Sequence, residues 1–360
     1  MKILFGVPIK IHKEIADAEV EAFKNLGNNV ETSFYGNSDQ VTGLFGRFFL
    51  IIKNATNLKR KLIKQKSDLV YLNTAFDFKT LIRDSISIFF LKFFNKKIRI
   101  VLKTHGTIKS TVNSKSFLEK YVYKNTDLIL VLSKEEQRSF EEIFPGQNKV
   151  FVTANPVDFA NYTPDPYFKR KLNIGEDCTT LLFVGRFLEQ KGILDLIQAC
   201  KIVKEKSLCF KLICLGNGPL FDEVRLLSEK LNLKNEIIFI GHIPEENTKY
   251  YYSNCDITIL PSYREGFPMA IFQSVAAGKA VITTKINACR DYFKEYENCL
   301  WVEKKNPLDL SEKILILSQN KTLRENISVN NLTLAQRFTA QNIASNLNAK
   351  FEKLLDKDLH

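Results

Sequence analysis

Short apolar runs alternate along the chain with longer segments whose apolar positions recur at helical spacing. Met1–Val7 is the first run. After it Ile15, Ala18, Ala22 and Leu26 fall on one helical face, which predicts a helix over Glu14–Leu26 ended by Gly27. Asn29–Phe34 follows as a strand, then Leu69–Asn73, Ile98–Lys103, Leu128–Ser133 and Val150–Ala154, each beside a helix-like stretch. From Asn155 to Asp177 a polar segment with Pro156, Pro164 and Pro166 breaks the rhythm and reads as a linker. The alternation then restarts with strands at Thr180–Gly185, Phe210–Leu215, Ile237–Ile240, Ile257–Leu260 and Ala280–Thr284. Between them helices are predicted at Ile193–Lys204, Leu220–Lys230, Asn247–Ser253 and Pro268–Ala277, and Asn331–Leu355 reads as one polar helix.

Alternation of this kind predicts parallel sheets with helices on both faces. A chain of 360 residues has room for two such cores. The expected fold class is therefore α/β, two Rossmann-like doubly wound domains. The expected limits are 1–158 for the first and 159–335 for the second, with a C-terminal helix at 336–360 packing back on the first. Ligands of doubly wound sheets bind outside the carboxyl ends of the strands, so the loops after each strand are where a site is expected, with the two domains facing across a cleft.

Composition adds little to this and excludes some classes. The longest apolar stretches, Phe48–Ile52 and Ile86–Phe94, fall short of the ~20 residues of a membrane span. The brief apolar start is interrupted by Pro8, Lys10 and Lys13 and reads as a strand, not a signal peptide. Seven cysteines, all from Cys178 onward and none in a C-x-x-C pair, read as buried reduced thiols of a cytoplasmic protein.

Charge changes the picture more. Met1–Asn155 carries 25 Lys and Arg against 15 Asp and Glu, and the block Arg47–Lys124 carries 18 against 4. That block also holds the aromatic pairs Phe48–Phe49, Phe89–Phe90 and Phe93–Phe94. Basic residues interleaved with bulky apolar ones suit an anionic membrane surface. A solvated basic face over core aromatics and a nucleic-acid surface are the rival readings. The expectation taken forward is peripheral attachment to the inner face of the cytoplasmic membrane, with no nucleic-acid partner.

Two segments carry chemistry. After the strand Thr180–Gly185 comes Gly185-Arg186-Phe187-Leu188-Glu189-Gln190-Lys191-Gly192. Gly185 permits a sharp turn, and Arg186 and Lys191 put two cations beside a helix start, a combination suited to a diphosphate. Two solvated surface cations would look the same. After the strand Ile257–Leu260 comes Pro261-Ser262-Tyr263-Arg264-Glu265-Gly266-Phe267-Pro268-Met269, opening an apolar helix that stops at Gly278. Unpaired amides at that helix start are donors for phosphate or sugar oxygens. Glu265 can accept from sugar hydroxyls and favour positive charge developing at an anomeric carbon. Alone it reads better as an acid that balances the helix dipole.

These residues resemble the retaining nucleotide-sugar glycosyltransferases of family 4, with the GT-B fold. The resemblance rests on Gly185-Arg186…Lys191-Gly192 and on Pro261-Ser262-Tyr263-Arg264-Glu265-Gly266-Phe267-Pro268…Ala276-Ala277-Gly278. Asn155-Pro156-Val157-Asp158, Val131-Leu132-Ser133, His105-Gly106 and Gly216-Asn217-Gly218-Pro219 extend it over nearly the whole chain. It implies that Arg186 and Lys191 bind the diphosphate of a UDP- or GDP-sugar donor, and that Glu265 contacts the donor sugar. It implies further that the stretch Gly266, Phe267, Pro268 and Met269, with the amides up to Ala270, receives sugar and phosphate oxygens. His105 would face the reacting sugar or the acceptor, and Gly241-His242-Ile243 would lie near the nucleobase. The implied acceptor is a glycan or a lipid-linked glycan, as in assembly of bacterial surface polysaccharide or lipopolysaccharide. No cofactor is expected, and no Asp-x-Asp stands in a context suited to a metal–diphosphate pair, so transfer is expected to be metal-independent.

The chain departs from the family pattern in three places. Gln273 stands where a second glutamate, eight residues after the first, holds the ribose hydroxyls. Asn287-Ala288 replaces a glycine pair, and Val7-Pro8-Ile9-Lys10 replaces a glycine pair in the first loop. These departures motivate an alternative, a catalytically degenerate binding or partner subunit. A nicotinamide oxidoreductase is excluded, because no strand is followed by Gly-x-Gly-x-x-Gly.

Overall fold

The computed structural model describes residues 1–8, 12–36, 43–105, 116–159 and 162–356. Ile9, Lys10, Gly106 and His360 lie outside them. The chain forms two compact units, Met1–Pro156 with Phe338–His360, and Val157–Arg337.

In the first unit the elements are β1 (Lys2–Val7), α1 (Lys13–Asn25), β2 (Asn29–Phe34), α2 (Leu44–Gln65), β3 (Leu69–Thr74), α3 (Phe78–Phe94), β4 (Arg99–Thr104), α4 (Phe117–Asn125), β5 (Leu128–Val131), α5 (Lys134–Ile143) and β6 (Val150–Val152). The second has α6 (Phe168–Lys171), β7 (Thr179–Val184), α7 (Ile193–Glu205), β8 (Phe210–Leu215), α8 (Phe221–Lys230), β9 (Ile237–Gly241), α9 (Glu245–Asn254), β10 (Ile257–Leu260), α10 (Met269–Ala276), β11 (Ala280–Thr284), α11 (Asn287–Tyr292), β12 (Leu300–Val302), α12 (Pro307–Gln319) and α13 (Lys321–Ala335). A last helix, α14 (Ala340–Asp356), returns to the first unit.

Each unit contains one six-stranded parallel sheet, in the orders β2-β1-β3-β4-β5-β6 and β12-β11-β10-β7-β8-β9. The doubly wound α/β class is therefore as the alternation implied. The central strands read as continuous apolar runs because both faces are covered, and β3 and β5 are buried throughout. The edge strands β2 and β9 are only partly covered and tolerate polar positions.

Alternate residues of the central strands serve opposite faces. Leu4, Val70 and Leu72 join Leu58 and Leu62 of α2, Ile88 and Leu91 of α3, and Val122 of α4 in one cluster. Phe5 and Tyr71 stack on the other face at 4.2 Å, against Phe23 of α1 and Phe351 of α14. Phe351 stacks on Phe23 at 5.5 Å and is fully buried. Asn28 Nδ2 donates to Asn348 Oδ1 at 2.8 Å, so α14 is tied to this unit by polar and aromatic contacts alike.

Two expectations need correction. Asn331–Leu355 is not one helix: α13 ends at Ala335, a 3₁₀ turn spans Gln336–Phe338, and α14 begins at Ala340. The chain passes from one unit to the other there, and Thr339 Oγ1 caps the new helix by accepting from Asn342 N. No glycine or proline marks the break, so periodicity ran through it. Second, the cysteines are not all reduced: Cys178 and Cys209 form a disulfide. They immediately precede the paired strands β7 and β8, which brings their Cα atoms to 4.7 Å. The other five are buried free thiols.

Candidate functional site

The second unit presents its loops where sheet order reverses. From β7 the chain winds outward through β8 and β9, then returns to β10 on the other side. The switch point between β7 and β10 is where such a sheet leaves a crevice beyond its strand ends. A cavity of about 610 Å³ lies there, lined by the loops after β7, β8, β9 and β10 and by the start of α10.

Backbone close approach shapes this crevice. Gly192 caps α7 with φ +67°, and a Cβ there would sit 2.3 Å from the Pro261 carbonyl oxygen. Gly216 has φ +128°, and a Cβ there would sit 2.0 Å from the Gly185 carbonyl oxygen. Only glycine lets the three loops approach this closely. Tyr263 N then donates to Gln190 O at 2.7 Å, and Tyr263 OH to Asp195 Oδ2 at 2.6 Å, locking the β10 loop onto the β7 loop.

Arg186, Lys191, Glu265, Phe267, Pro268, Met269 and Gln273 all line the cavity. Gly266 belongs to the same loop but does not line it. Helix α10 starts one residue later than expected, with Pro268 as its N-cap and Met269 as its first residue. Ile271 N and Phe272 N turn back to the Pro268 carbonyl, which leaves the Met269 and Ala270 amides without a partner among the described residues. No side chain caps the helix. Gly278, φ +66°, ends it in the left-handed conformation.

Charge is organised unevenly around the cavity. Lys191 Nζ pairs with Glu265 Oε1, both side chains being largely buried. Ser262 Oγ donates to the same oxygen at 2.9 Å. The Glu265 carboxylate is thus committed to Lys191 and Ser262, and it does not cap α10. Arg186 is exposed, and its guanidinium has no hydrogen bond or ion pair among the described residues. The site therefore offers one unspent guanidinium, two unpaired amides, and an internally balanced Lys–Glu pair.

Sequence reasoning passed over several contributors. Asn287, noted only as a departure, takes φ 30° at the start of α11, a conformation asparagine tolerates. Its amide donates to the Glu265 carbonyl and so pins that loop. Thr284 Oγ1 donates to the Ser262 carbonyl in the same way. Glu245 and Thr248 also line the cavity, as does Asn217 of the Gly216–Pro219 turn already singled out. The loop Gly241-His242-Ile243 was singled out, but the helix after it begins at Glu245 instead of Asn247, which brings Glu245 into the wall.

In the first unit the switch point lies between β1 and β3. His105 follows β4, beside the end of β3. Asn73 Nδ2 donates to the Gly6 carbonyl at 3.1 Å, and Asn73 Oδ1 lies 2.7 Å from His105 Nε2. A carbonyl only accepts, so the amide orientation is fixed. His105 therefore carries its proton on Nε2, and Nδ1 is a bare acceptor, buried and unpartnered among the described residues. The His12 ring stacks on His105 at 4.5 Å.

Both imidazoles are held neutral. Burial, then the Lys103 ammonium, then His12 hold the His105 pKa well below its ordinary value. Burial and Lys103 lower that of His12 as well. Lys103 is itself fully buried, paired with Glu19 at 2.5 Å, and Tyr71 OH donates to Glu19 Oε2 at 3.3 Å. His105 thus stands with His12 and Asn73, on a different unit from the cavity-lining residues.

The chain belongs to the glycosyltransferases. Residues 165–332 match the family model described as glycosyl transferases group 1. The chain is 30% identical over 260 residues to an uncharacterized glycosyltransferase of Methanocaldococcus jannaschii, covering 71% of this chain and 69% of the relative. It is 28% identical over 262 residues to the N-acetylgalactosamine-N,N'-diacetylbacillosaminyl-diphospho-undecaprenol 4-alpha-N-acetylgalactosaminyltransferase of Campylobacter jejuni, covering 70% and 69%. The fold matches that of Anabaena HepE, solved in complex with UDP and glucose, with a TM-score of 0.78, 17% identity, and coverage of 98% and 100%. Two parallel-sheet Rossmann-like units are the GT-B architecture of such enzymes.

Proposed function

We propose that this glycosyltransferase is a retaining member of family 4 that moves a hexose-type sugar from a UDP- or GDP-sugar to a glycan or lipid-linked acceptor in bacterial surface polysaccharide or lipopolysaccharide assembly. The observation that carries the donor reading is the cavity at the β7–β10 switch point, where the unpaired Arg186 and the free Met269 and Ala270 amides meet the Lys191–Glu265 pair. Donors of this kind suit a diphosphate, and they oppose charge building on it as it leaves. No metal is required in this reading, because Arg186 and the amides supply the positive field. Donor binding lets Lys191 turn from Glu265 to the diphosphate, which frees Glu265 for sugar hydroxyls and for the positive anomeric carbon. His105 Nδ1, a bare acceptor, accepts a hydrogen bond from a hydroxyl of the donor sugar or acceptor.

The acceptor reading is supported by the Campylobacter relative, whose name places its own acceptor on a diphospho-undecaprenol carrier. The first unit supports it too. Helix α2 exposes Phe45, Phe48 and Phe49, and α3, which packs on it, exposes Phe89, Phe93 and Phe94. The sequence of α2 has Arg47, Lys53, Lys59, Arg60, Lys61 and Lys64 and no acid, and Lys59 Nζ sits 3.3 Å over the Phe94 ring. Among the described residues no helix is long and apolar enough to cross a membrane. An aromatic and basic face of this kind fits docking on an anionic bilayer.

The test is transfer from a panel of UDP- and GDP-hexoses to a polyprenyl-diphosphate-linked glycan, with the product anomer read by NMR. The account expects α-linked product from an α-linked donor, and loss of transfer by about 10²- to 10³-fold in Glu265→Ala. Near-normal turnover of that variant rejects the assignment, and an inverted anomer rejects retention.

A further inference from the structure

Gln273 leaves position 273 without a charge, yet the cavity wall beside it is not neutral. Gln273 Nε2 donates to Glu245 Oε1 at 2.9 Å. Gln273 comes from the second turn of α10, and Glu245 is the first residue of α9; both line the cavity. Thr248 Oγ1 donates to the Glu245 carbonyl at 2.6 Å and fixes the first turn that carries it. An acid at a helix start is also favoured by the helix dipole.

The hydrogen bond decides which way each group faces. The amide nitrogen is turned to the carboxylate, so Gln273 Oε1 is the end left to accept. An ionised carboxylate is acceptor-only, with about four lone-pair sites over its two oxygens, of which the Gln273 amide takes one. The wall at this point is therefore made of adjacent acceptors, one of them anionic. Gln273 lies four residues beyond Met269, about 6 Å along the axis of α10 from its free amides. Oxygen-binding donors at the helix start and hydroxyl-binding acceptors one turn later match the order of a nucleoside diphosphate, phosphates first and ribose diol next.

We propose that Glu245, oriented by Gln273, is the residue that recognises the ribose diol of the nucleotide. The inference rests on the donor reading above and adds to it a carboxylate from α9. A vicinal diol presents two hydroxyl donors, which a carboxylate accepts together; a 2′-deoxyribose presents one. Hydrogen bonds to a charged acceptor are the stronger kind, so losing one lowers affinity by about tenfold or more.

The experiment is isothermal titration of the full chain with UDP, GDP and ADP and with their 2′-deoxy counterparts. Wild-type protein is expected to bind at least one ribonucleotide about tenfold or more tighter than its deoxy form. In Glu245→Ala the ribonucleotide affinity falls to that of the deoxy form, whose own affinity stays unchanged and reports an intact cavity. Glu245→Gln, which preserves shape, falls between the two. Retained discrimination in Glu245→Ala overturns the proposal while leaving the donor reading standing. Binding of none of the six nucleotides overturns the donor reading and this inference with it.

Discussion

Each unit winds its own six-stranded parallel sheet, in a different strand order, and the two put opposite electrostatics at their switch points. In the second, charge is gathered: an unspent guanidinium, free amides, a Lys–Glu pair and a second carboxylate all meet one cavity. In the first, charge is removed: His12 and His105 are stacked, neutral, and backed by a buried Lys103 whose own charge is answered by Glu19. Strand ends at a switch point therefore serve two chemistries. One suits binding an anion and stabilising charge separation. The other suits accepting a hydrogen bond from a hydroxyl at a nitrogen whose lone pair is kept free.

The largest expected effect tests the charged side. Lys191→Ala removes the cation and strands Glu265 in a largely buried place, so kcat/KM for the donor should fall by about 10²- to 10³-fold. Steady-state kinetics checks this, and a loss below about tenfold would mean that the pair does not serve the reaction. A smaller effect tests the neutral side. Asn73→Ala releases the tautomer of His105, and turnover should fall by about tenfold. It should also change the pH profile of kcat, which a purely structural loss would leave in shape.

The smallest effect concerns stability and follows from the direction of the histidine shifts. Both imidazoles have folded-state pKa values below the unfolded value, about 6.5. The unfolded chain therefore binds more protons as pH drops. Their contribution is complete above about pH 6.5 and is lost as pH falls below it. Thermal melts should show Tm declining by several degrees between neutral and mildly acidic pH. His105→Phe should flatten that decline, and an equal slope in the variant would assign it to other groups.

Much of this was legible in the sequence, for physical reasons. Strands such as Phe210–Leu215, Ile257–Leu260 and Ala280–Thr284 are interior, almost wholly buried and mostly apolar, so their limits are sharp. Short β12 was missed, since three residues carry no period. The cavity residues were legible because glycines at forced conformations and an apolar helix start leave local marks. Partnerships were not legible. Lys191 with Glu265, Gln273 with Glu245 and Asn73 with His105 join residues 74, 28 and 32 positions apart, set by register and loop packing. The disulfide was missed for the same reason: two residues before two strands become neighbours only once the sheet order is known.

The central claim is that Arg186 and the start of α10 form the anion site of a sugar-nucleotide donor. Titration of wild type and Arg186→Ala with UDP, GDP and their hexose conjugates tests it most directly. The account predicts one donor bound per chain by the wild type and affinity lowered by about tenfold or more in the variant. Equal affinity in the two proteins, or no binding of any of these ligands by the wild type, would contradict it.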